Sequence, residues 1–304
     1  MKGVGSMPVE ARRPVIFGEV LFDQFPDGSV VLGGAPFNVA WHLQAFGQAP
    51  LFVSRVGDDP LGRRIRDAML GWGMDTSALQ LDSAHPTGTV TVTFEDGEPS
   101  YDIVAERAYD YIELAKLPPL PRAGLLYHGS LALRHPVSRA ACESLCTTYW
   151  SHVFVDVNLR PPWSDPDYLL AQLHGARWAK LNEDELATLV PAGDDLAARA
   201  AHLQALTGIE RLVVTRGARG ALVRSPNGEL AQVAPSLEAT RVVDTVGAGD
   251  SFTSVLLLGV LRGWPLDETL RRAQDFASAI VGVRGATVSD RAFYAGFRKS
   301  WGLE

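Results

Sequence analysis

Cysteine and lysine are scarce in this chain, and each shortage removes a class of protein. Only two cysteines occur in 304 residues, Cys142 and Cys146, which excludes a disulfide scaffold. On a helix their spacing puts both on one face, with intervening backbone that resists the close approach a disulfide requires. Two thiols leave a tetrahedral zinc site half built, so the pair is expected as small buried apolar side chains. The four lysines, Lys2, Lys116, Lys180 and Lys299, never follow a glycine, and a Walker A phosphate loop needs that step. Basic charge is also in deficit, 28 Lys and Arg against 35 Asp and Glu, for a net charge of −7. That balance offers no global attraction to nucleic acid or anionic lipid, so neither is expected as a partner. No apolar run reaches the roughly 18 residues of a membrane span, and the opening MKGVGSMPVEARRPVIFGEV has no secretory apolar region; a cytoplasmic protein with no membrane partner is expected. No Ser/Gly linker, tandem repeat or long like-charge run divides the chain.

What is present reads as globular: 46% hydrophobic and 21% charged residues. From Pro14 onward, short β-branched apolar runs alternate with longer segments of helical period, the pattern of βαβ units and a parallel sheet covered on both faces. Strands are expected at 15–17, 51–55, 125–128, 153–157, 179–181, 212–215 and 221–224. Helices are expected at 36–46, opened by Pro36 and closed before Gly47, and at 60–70, with Asp58 and Asp59 as capping candidates and Gly71 as the stop. One stretch breaks the alternation. TGTVTVTF, Thr87 to Phe94, alternates polar and apolar side chains, and the turn Glu95-Asp96-Gly97-Glu98 leads to Tyr101–Val104, a hairpin pattern. With Gly28–Leu32 as an added strand, it forms a flap on a parallel core, and one domain with an inserted flap is expected over two tandem domains.

The strongest local signal is DTVGAGDSFTSVLLLGVLRG, Asp244 to Gly263, where two glycines precede a strongly apolar helix. A helix N-terminus carries about half a positive charge and unsatisfied N–H donors, so an oxyanion or phosphoryl group is stabilised there. A dinucleotide fingerprint needs a third glycine where Phe252 stands. A plain reading also exists: a helix capped by Asp250, with glycines for the turn. A second glycine-rich helix start, GGAPFNVAWHLQAFG from Gly33 to Gly47, permits close backbone approach and offers Asn38, which can donate to and accept from a polyol. Alone it is equally a hydrophobic helix behind a glycine turn. The seven histidines, His128 and His135 among them, show no metal-ligand spacing, and Trp41 and Trp72 default to core packing.

Together, in this order and about 200 residues apart, the two segments resemble the two signatures of the PfkB/ribokinase family of carbohydrate kinases. The first continues through FVSRVGDDPLGRRI, Phe52 to Ile65; DTVGAGDSF, Asp244 to Phe252, matches the second almost completely. The resemblance runs along nearly the whole chain and is closest to fructokinase-like members. It implies an α/β, ribokinase-like three-layer α/β/α core with a mostly parallel sheet. It also implies a small β-strand lid at about 24–34 and 86–107, within a single domain spanning 1–304. It implies transfer of the ATP γ-phosphate to a sugar hydroxyl, with Asp250 as base and Gly247, Ala248 and Gly249 as anion hole. Asp23, placed after a first strand in GEVLFD, would bind sugar hydroxyls with Gly33, Gly34 and Asn38.

By the same resemblance, DVNLRPPW, Asp156 to Trp163, is similar to the Asp-x-Asn-x-Arg segment of fructokinases and 2-keto-3-deoxygluconate kinases, which puts Arg160 near substrate and phosphate. Asn182 and Glu185 match an Asn-x-x-Glu associated with phosphate and Mg2+, the latter through water; without the family they are an acidic helix start. VVTRGARGA, Val213 to Ala221, resembles the strand-turn-strand under the nucleotide, so Thr215, Gly217 and Gly220 become ATP contacts. SAIVGVRGATVS, Ser278 to Ser289, is similar to the region flanking adenine and a monovalent cation, K+, with Asp244 as its side-chain partner. The flap departs from pattern: where many relatives read Arg-x-x-Ser-Ala-Asp, this chain reads Glu106-Arg107-Ala108-Tyr109-Asp110, which weakens an acid-sugar reading and leaves fructose first. A 2-keto-3-deoxygluconate kinase, a ribokinase, a nucleoside kinase and a catalytically silent sugar- or nucleotide-binding module are the alternatives. A flat hairpin edge in the flap makes a homodimer through it an expectation.

Overall fold

The computed structural model describes residues 13–95, 98–120, 124–149, 152–193, 195–234 and 242–304. The apolar runs assemble a nine-stranded sheet from β1 (Val15–Phe17), β4 (Leu51–Gly57), β5 (Leu79–Asp82), β8 (Leu126–His128), β9 (Val153–Asp156), β10 (Trp178–Asn182), β11 (Arg211–Thr215), β12 (Ala221–Arg224) and β13 (Leu230–Val233). The order across the sheet is β13-β12-β11-β10-β9-β8-β1-β4-β5. The strands from β5 to β11 run parallel, and β12 and β13 add an antiparallel edge.

Side chains alternate between the two faces, as the twofold period of a strand requires. Val15 and Phe17 enter the core under α3 (Pro136–Tyr149), α4 (Pro166–Leu173), α5 (Glu183–Leu189) and α6 (Leu196–Thr207). Ile16 enters the opposite core with α1 (Ala35–Ala45), α2 (Pro60–Trp72), α7 (Ala248–Arg262), α8 (Leu266–Val281) and α9 (Arg291–Ser300). Three layers result, as expected. Strands buried on both faces have little need of polar alternation, which is why they read as short continuous apolar runs. Trp41 and Trp72 stack at 4.6 Å in this core, and among the described residues no helix is long and apolar enough to cross a membrane.

A separate four-stranded sheet, ordered β3-β2-β6-β7, is formed by β2 (Leu21–Gln24), β3 (Val30–Gly33), β6 (Gly88–Glu95) and β7 (Glu98–Ile103). Its strands bracket the expected flap, although the turn residues Asp96 and Gly97 lie outside the described residues. Two local expectations need correction. GEVLFD does not continue the first strand: β1 ends at Phe17, the backbone bends at Gly18, and Asp23 lies inside β2, paired with Val31 and Val90. Helix α2 passes Gly71 and stops at Gly73, whose φ of 79° supplies the left-handed cap; a Cβ at Gly71 would meet nothing, so nothing there forces a stop.

Asp59 joins the two sheets. As N-cap of α2 it accepts from Gly62 N at 2.8 Å, and it also accepts from Thr87 N and Thr87 Oγ1, each at 2.8 Å, just ahead of β6. A Cβ on Gly62 would lie 2.1 Å from the Gly57 carbonyl oxygen. The Gly-Asp-Asp-Pro-Leu-Gly run is therefore a close-packed joint, with no atom to spare at either glycine.

Candidate active site

The chemistry-bearing residues collect at the carboxyl ends of the parallel strands, where the connecting loops open a crevice. Glu19 follows β1, Asp156 ends β9, Asn182 ends β10 and Thr215 ends β11. Helix α7 points its N-terminus into this region. It begins at Ala248, and its cap is Gly247, with φ 77° and no side-chain hydrogen bond, so Asp250 is not the cap. A Cβ at Gly247 would lie 2.4 Å from the Cα of Ala286, so the turn is glycine both by conformation and by packing. No side chain caps the first turn of α7, and Ala248 N donates to the Thr245 carbonyl at 3.3 Å.

Asp250 and the early helix meet directly. Asn38 Nδ2 donates to Asp250 Oδ2 at 2.8 Å, across 212 residues of sequence. Burial raises the Asp250 carboxyl above its usual range, opposed by the Asn38 hydrogen bond and the Lys180 charge and reinforced by Asp156. Beneath it lies a buried network: Lys180 Nζ donates to both Asp156 oxygens at 3.1 Å, and Thr253 Oγ1 donates to Asp156 Oδ2 at 2.9 Å. Burial opposes the Lys180 charge, but Asp156, Glu185 and Asp250 outweigh it and raise its pKa. This ammonium sits under the α7 entrance, 3.4 Å from where a Gly249 Cβ would stand.

The other wall comes from the small sheet. Asp23 lies beside Gly33, 3.5 Å from where a Cβ would project, and burial lifts its carboxyl to about 6. Gly34, with φ 108°, packs onto the Glu19 carbonyl, 2.8 Å from a would-be Cβ. Glu19 is 3% exposed; burial raises it to about 7, with the charges of Arg160 and Arg134 lowering it and Asp250 raising it. Its Oε2 and the Oδ1 of Asn38 are buried acceptors without a hydrogen-bond partner. Arg160 is exposed, and its charge is felt by Glu19, Asp23 and Asp250.

Asn182 and Thr215 are register partners on β10 and β11. Asn182 Oδ1 accepts from Glu185 N and Glu185 Oε2 accepts from Asn182 N, each at 2.8 Å, a reciprocal cap on α5. Glu185 Oε1 accepts from Leu159 N at 2.8 Å, which holds the loop that carries Arg160. Gly217 has φ 54° and open space around it, whereas Gly220 is buried, with Val233 O 2.0 Å from a would-be Cβ. Gly220 is thus accounted for by the packing of β12 on β13. Asp244 accepts from Val246 N at 3.0 Å and Gly285 N at 2.9 Å, bracing the loop before α7. A cavity of about 250 Å3 lies at the amino ends of the parallel strands, among Leu125, Arg177, Arg211 and Trp264, at the opposite end from these groups.

Residues 4–292 match the model of the pfkB family carbohydrate kinases. This chain belongs to the pfkB carbohydrate kinase family. It is 33% identical over 279 residues to a fructokinase of Klebsiella pneumoniae, covering 87% of this chain and 89% of that one. A double mutant of fructokinase from Vibrio cholerae O395, solved with fructose, ADP and potassium ion bound, superposes with a TM-score of 0.79 at 27% identity, over 94% of this chain and 98% of that one. Aminoimidazole riboside kinase from Salmonella enterica, complexed with aminoimidazole riboside and an ATP analog, gives 0.82 at 25% identity, over 96% and 100%. The pfkB enzyme described here is accordingly a sugar kinase with the ribokinase-like fold.

Three groups in this pfkB kinase escape a reading of motifs. Glu19 looks like an interior strand residue in GEVLFD, Lys180 like a lone cation in an apolar strand, and Arg134 like surface charge. Arg134 instead grips Asp110 through two hydrogen bonds of 2.7 and 2.8 Å and the Val104 carbonyl at 2.7 Å, with its guanidinium over Tyr109 and Trp163. It ties the strand leaving the flap to the end of β8. Arg107 reaches no such pairing through Nε, which is buried without a partner. A signal for Lys180 existed: a lysine inside a buried parallel strand needs an acid on the next strand, and Asp156 ends the neighbouring one.

Proposed function

We propose that this sugar kinase phosphorylates a hydroxyl of fructose, with Asp250 as general base and the Gly247-Ala248-Gly249 amides receiving the transferring phosphoryl group. The observation that carries the reading is the Asn38–Asp250 hydrogen bond, which sets the polyol-binding helix start and the anion-binding helix start at one point. Asn38 engages Oδ2 and leaves Oδ1 of Asp250 to take the hydroxyl proton. Burial makes this carboxylate a better base, and a loose phosphoryl-transfer transition state asks mainly for position and charge stabilisation. Arg160, exposed and with no carboxylate in hydrogen-bond contact, supplies positive charge to the transferring group.

The acceptor is read from the other wall. Glu19 Oε2 and Asn38 Oδ1 are buried acceptors that hydroxyl donors satisfy, and Asp23 with Gly33 and Gly34 adds a carboxylate against close backbone. Three carboxyl groups at 19, 23 and 250, with Arg134 committed to Asp110, favour a neutral polyol over a sugar acid such as 2-keto-3-deoxygluconate. The likeness to fructokinases supports fructose as the first choice among neutral acceptors. ATP would lie over Thr215 and Gly217, with the packed Gly220 turn beneath and Asn182 at its phosphates. Both Glu185 oxygens already accept backbone N–H groups, so its carboxylate fits a hydrated Mg2+ held through water better than direct ligation. When bound, that ion neutralises phosphate charge. Asp244 is engaged in the same way and fits a bracing role beside a K+ held by carbonyl oxygens.

The small sheet is read as a lid and as a homodimer surface. By strand register Val31 and Tyr101 share the face that carries Asp23, Val90 and Val92, yet remain 41% and 53% exposed. Light scattering should give a dimer, weakened by Tyr101→Lys.

The deciding experiment is an ADP-release screen over fructose, ribose, 2-keto-3-deoxygluconate, fructose phosphates and nucleosides, with and without potassium. Fructose should give the highest kcat/KM. A higher value for a riboside or a sugar acid overturns the acceptor assignment.

A further inference from the structure

Away from the crevice residues, a second cluster forms where β8 ends against α3. His128, the last residue of β8, is fully buried, as is Cys142 on α3, and Cys146 one turn later is half-buried. The ligand atoms of the three side chains all lie within 4.8 Å of one another. Among the described residues it is the sole trio of histidine, cysteine and acidic side chains so placed. His128 Nδ1 is 3.0 Å from the Gly129 carbonyl oxygen. A carbonyl only accepts, so in the neutral ring the Nδ1–H donates there and Nε2 carries the lone pair. That Nε2 is buried with no hydrogen bond of ordinary geometry, and the Cys146 sulfur is its neighbour. A backbone carbonyl holding one imidazole nitrogen so that the other is presented is the arrangement that orients metal-ligating histidines.

We propose that His128, Cys142 and Cys146 form a site for one thiophilic divalent cation of the zinc class, with a fourth position left to solvent on the Cys146 side. Tetrahedral zinc with Zn–S of about 2.3 Å and Zn–N of about 2.0 Å sets its sulfurs about 3.8 Å apart and sulfur and nitrogen about 3.5 Å apart, so from within 4.8 Å no pair has to close by more than about 1.3 Å. One helical turn between the cysteines puts both thiols on one face, which excludes a disulfide but suits a shared metal. Sulfur and imidazole together select zinc over magnesium or calcium. Binding releases the two thiol protons to solvent and transfers no electrons. The cation would pin α3 to the end of β8, next to Ser130, whose Oγ donates to the Asn158 carbonyl in the loop that leads to Arg160. The site is independent of the identity of the sugar acceptor.

The test uses the reduced, chelator-stripped full chain, titrated with Co2+ and then Zn2+. One cobalt per chain should bind with thiolate-to-cobalt charge-transfer absorption and the intense visible bands of a tetrahedral centre, and zinc should displace it. Cys142→Ala should weaken binding at least about 100-fold, the upper end of an outer-sphere change, with circular dichroism confirming its fold. In the unmutated chain, one equivalent of Zn2+ should slow alkylation of Cys146. Cobalt spectra without thiolate character, unchanged affinity in C142A, or alkylation indifferent to zinc would each overturn the site.

Discussion

At the scale of single residues, the crevice is governed by carboxyl groups whose proton affinity burial raises. Asp250→Asn keeps the Asn38 contact within reach and removes the base. The kcat of that variant should fall at least about 10²-fold while sugar binding, measured by calorimetry, stays close to the parent value. Glu19 makes a second prediction. Its folded pKa of about 7 exceeds its ordinary 4.5, so between those values the native chain binds more protons than the unfolded chain. The contribution of Glu19 to stability therefore declines as pH rises through that window, by up to about 1.4 kcal/mol per pH unit. Asp23, raised to about 6 from 3.8, adds a decline of the same sign. Denaturant melts of sugar-free protein should show this slope, and Glu19→Gln should flatten it; an unchanged slope would remove Glu19 as its source. Asp23→Ala should raise sugar KM with little change in ATP affinity, whereas equal loss for both ligands would indicate misfolding.

At the scale of elements, the joint at Asp59 does two tasks with one carboxylate. It caps α2 and holds the chain where the small sheet departs. Asp59→Ala should cost about 1–2 kcal/mol for the cap alone, read by denaturant unfolding. A loss confined to the cap would leave sugar KM unchanged; a raised KM would mean that the joint also sets the position of the flap. The same elements show why the sequence was readable in places. Apolar runs flanked by glycine and proline located seven strands of the large sheet to within about two residues, because strands buried on both faces leave an unambiguous pattern. β5 and β13 went unmarked: Leu79–Asp82 is only four residues long and buries Gln80 and Asp82 while exposing Leu81, and Leu230–Val233 is a half-exposed edge. Gly71 misled because a glycine signals a helix end only where the backbone turns left-handed, and that turn occurs at Gly73.

At the scale of the whole molecule, the four-stranded sheet shares no ladder with the nine-stranded one and packs on its cores through Leu21, Phe22, Val90 and Ile103, with the proposed sugar-binding groups at its margin. Hydrogen exchange should be faster in β6 and β7 than in β8 to β11, and fructose should slow it in β2 and β6 by bridging Asp23 to α1 and α7. Equal protection of both sheets without sugar would mean that the small sheet is not a moving lid.

The sequence by itself determined the layered α/β core, the two glycine-led helix starts and the family whose signatures they carry, because periodicity, capping and turn chemistry act over a few neighbouring residues. Only the tertiary structure decided that Glu19 faces the crevice, that Lys180 supports α7 through Asp156, that Arg134 grips Asp110 and that His128 meets the cysteine pair. Those placements depend on the burial of charges and on contacts between strands and helices distant in sequence, and a carboxylate, an ammonium or an imidazole takes its chemistry from whichever groups the packed fold brings alongside it.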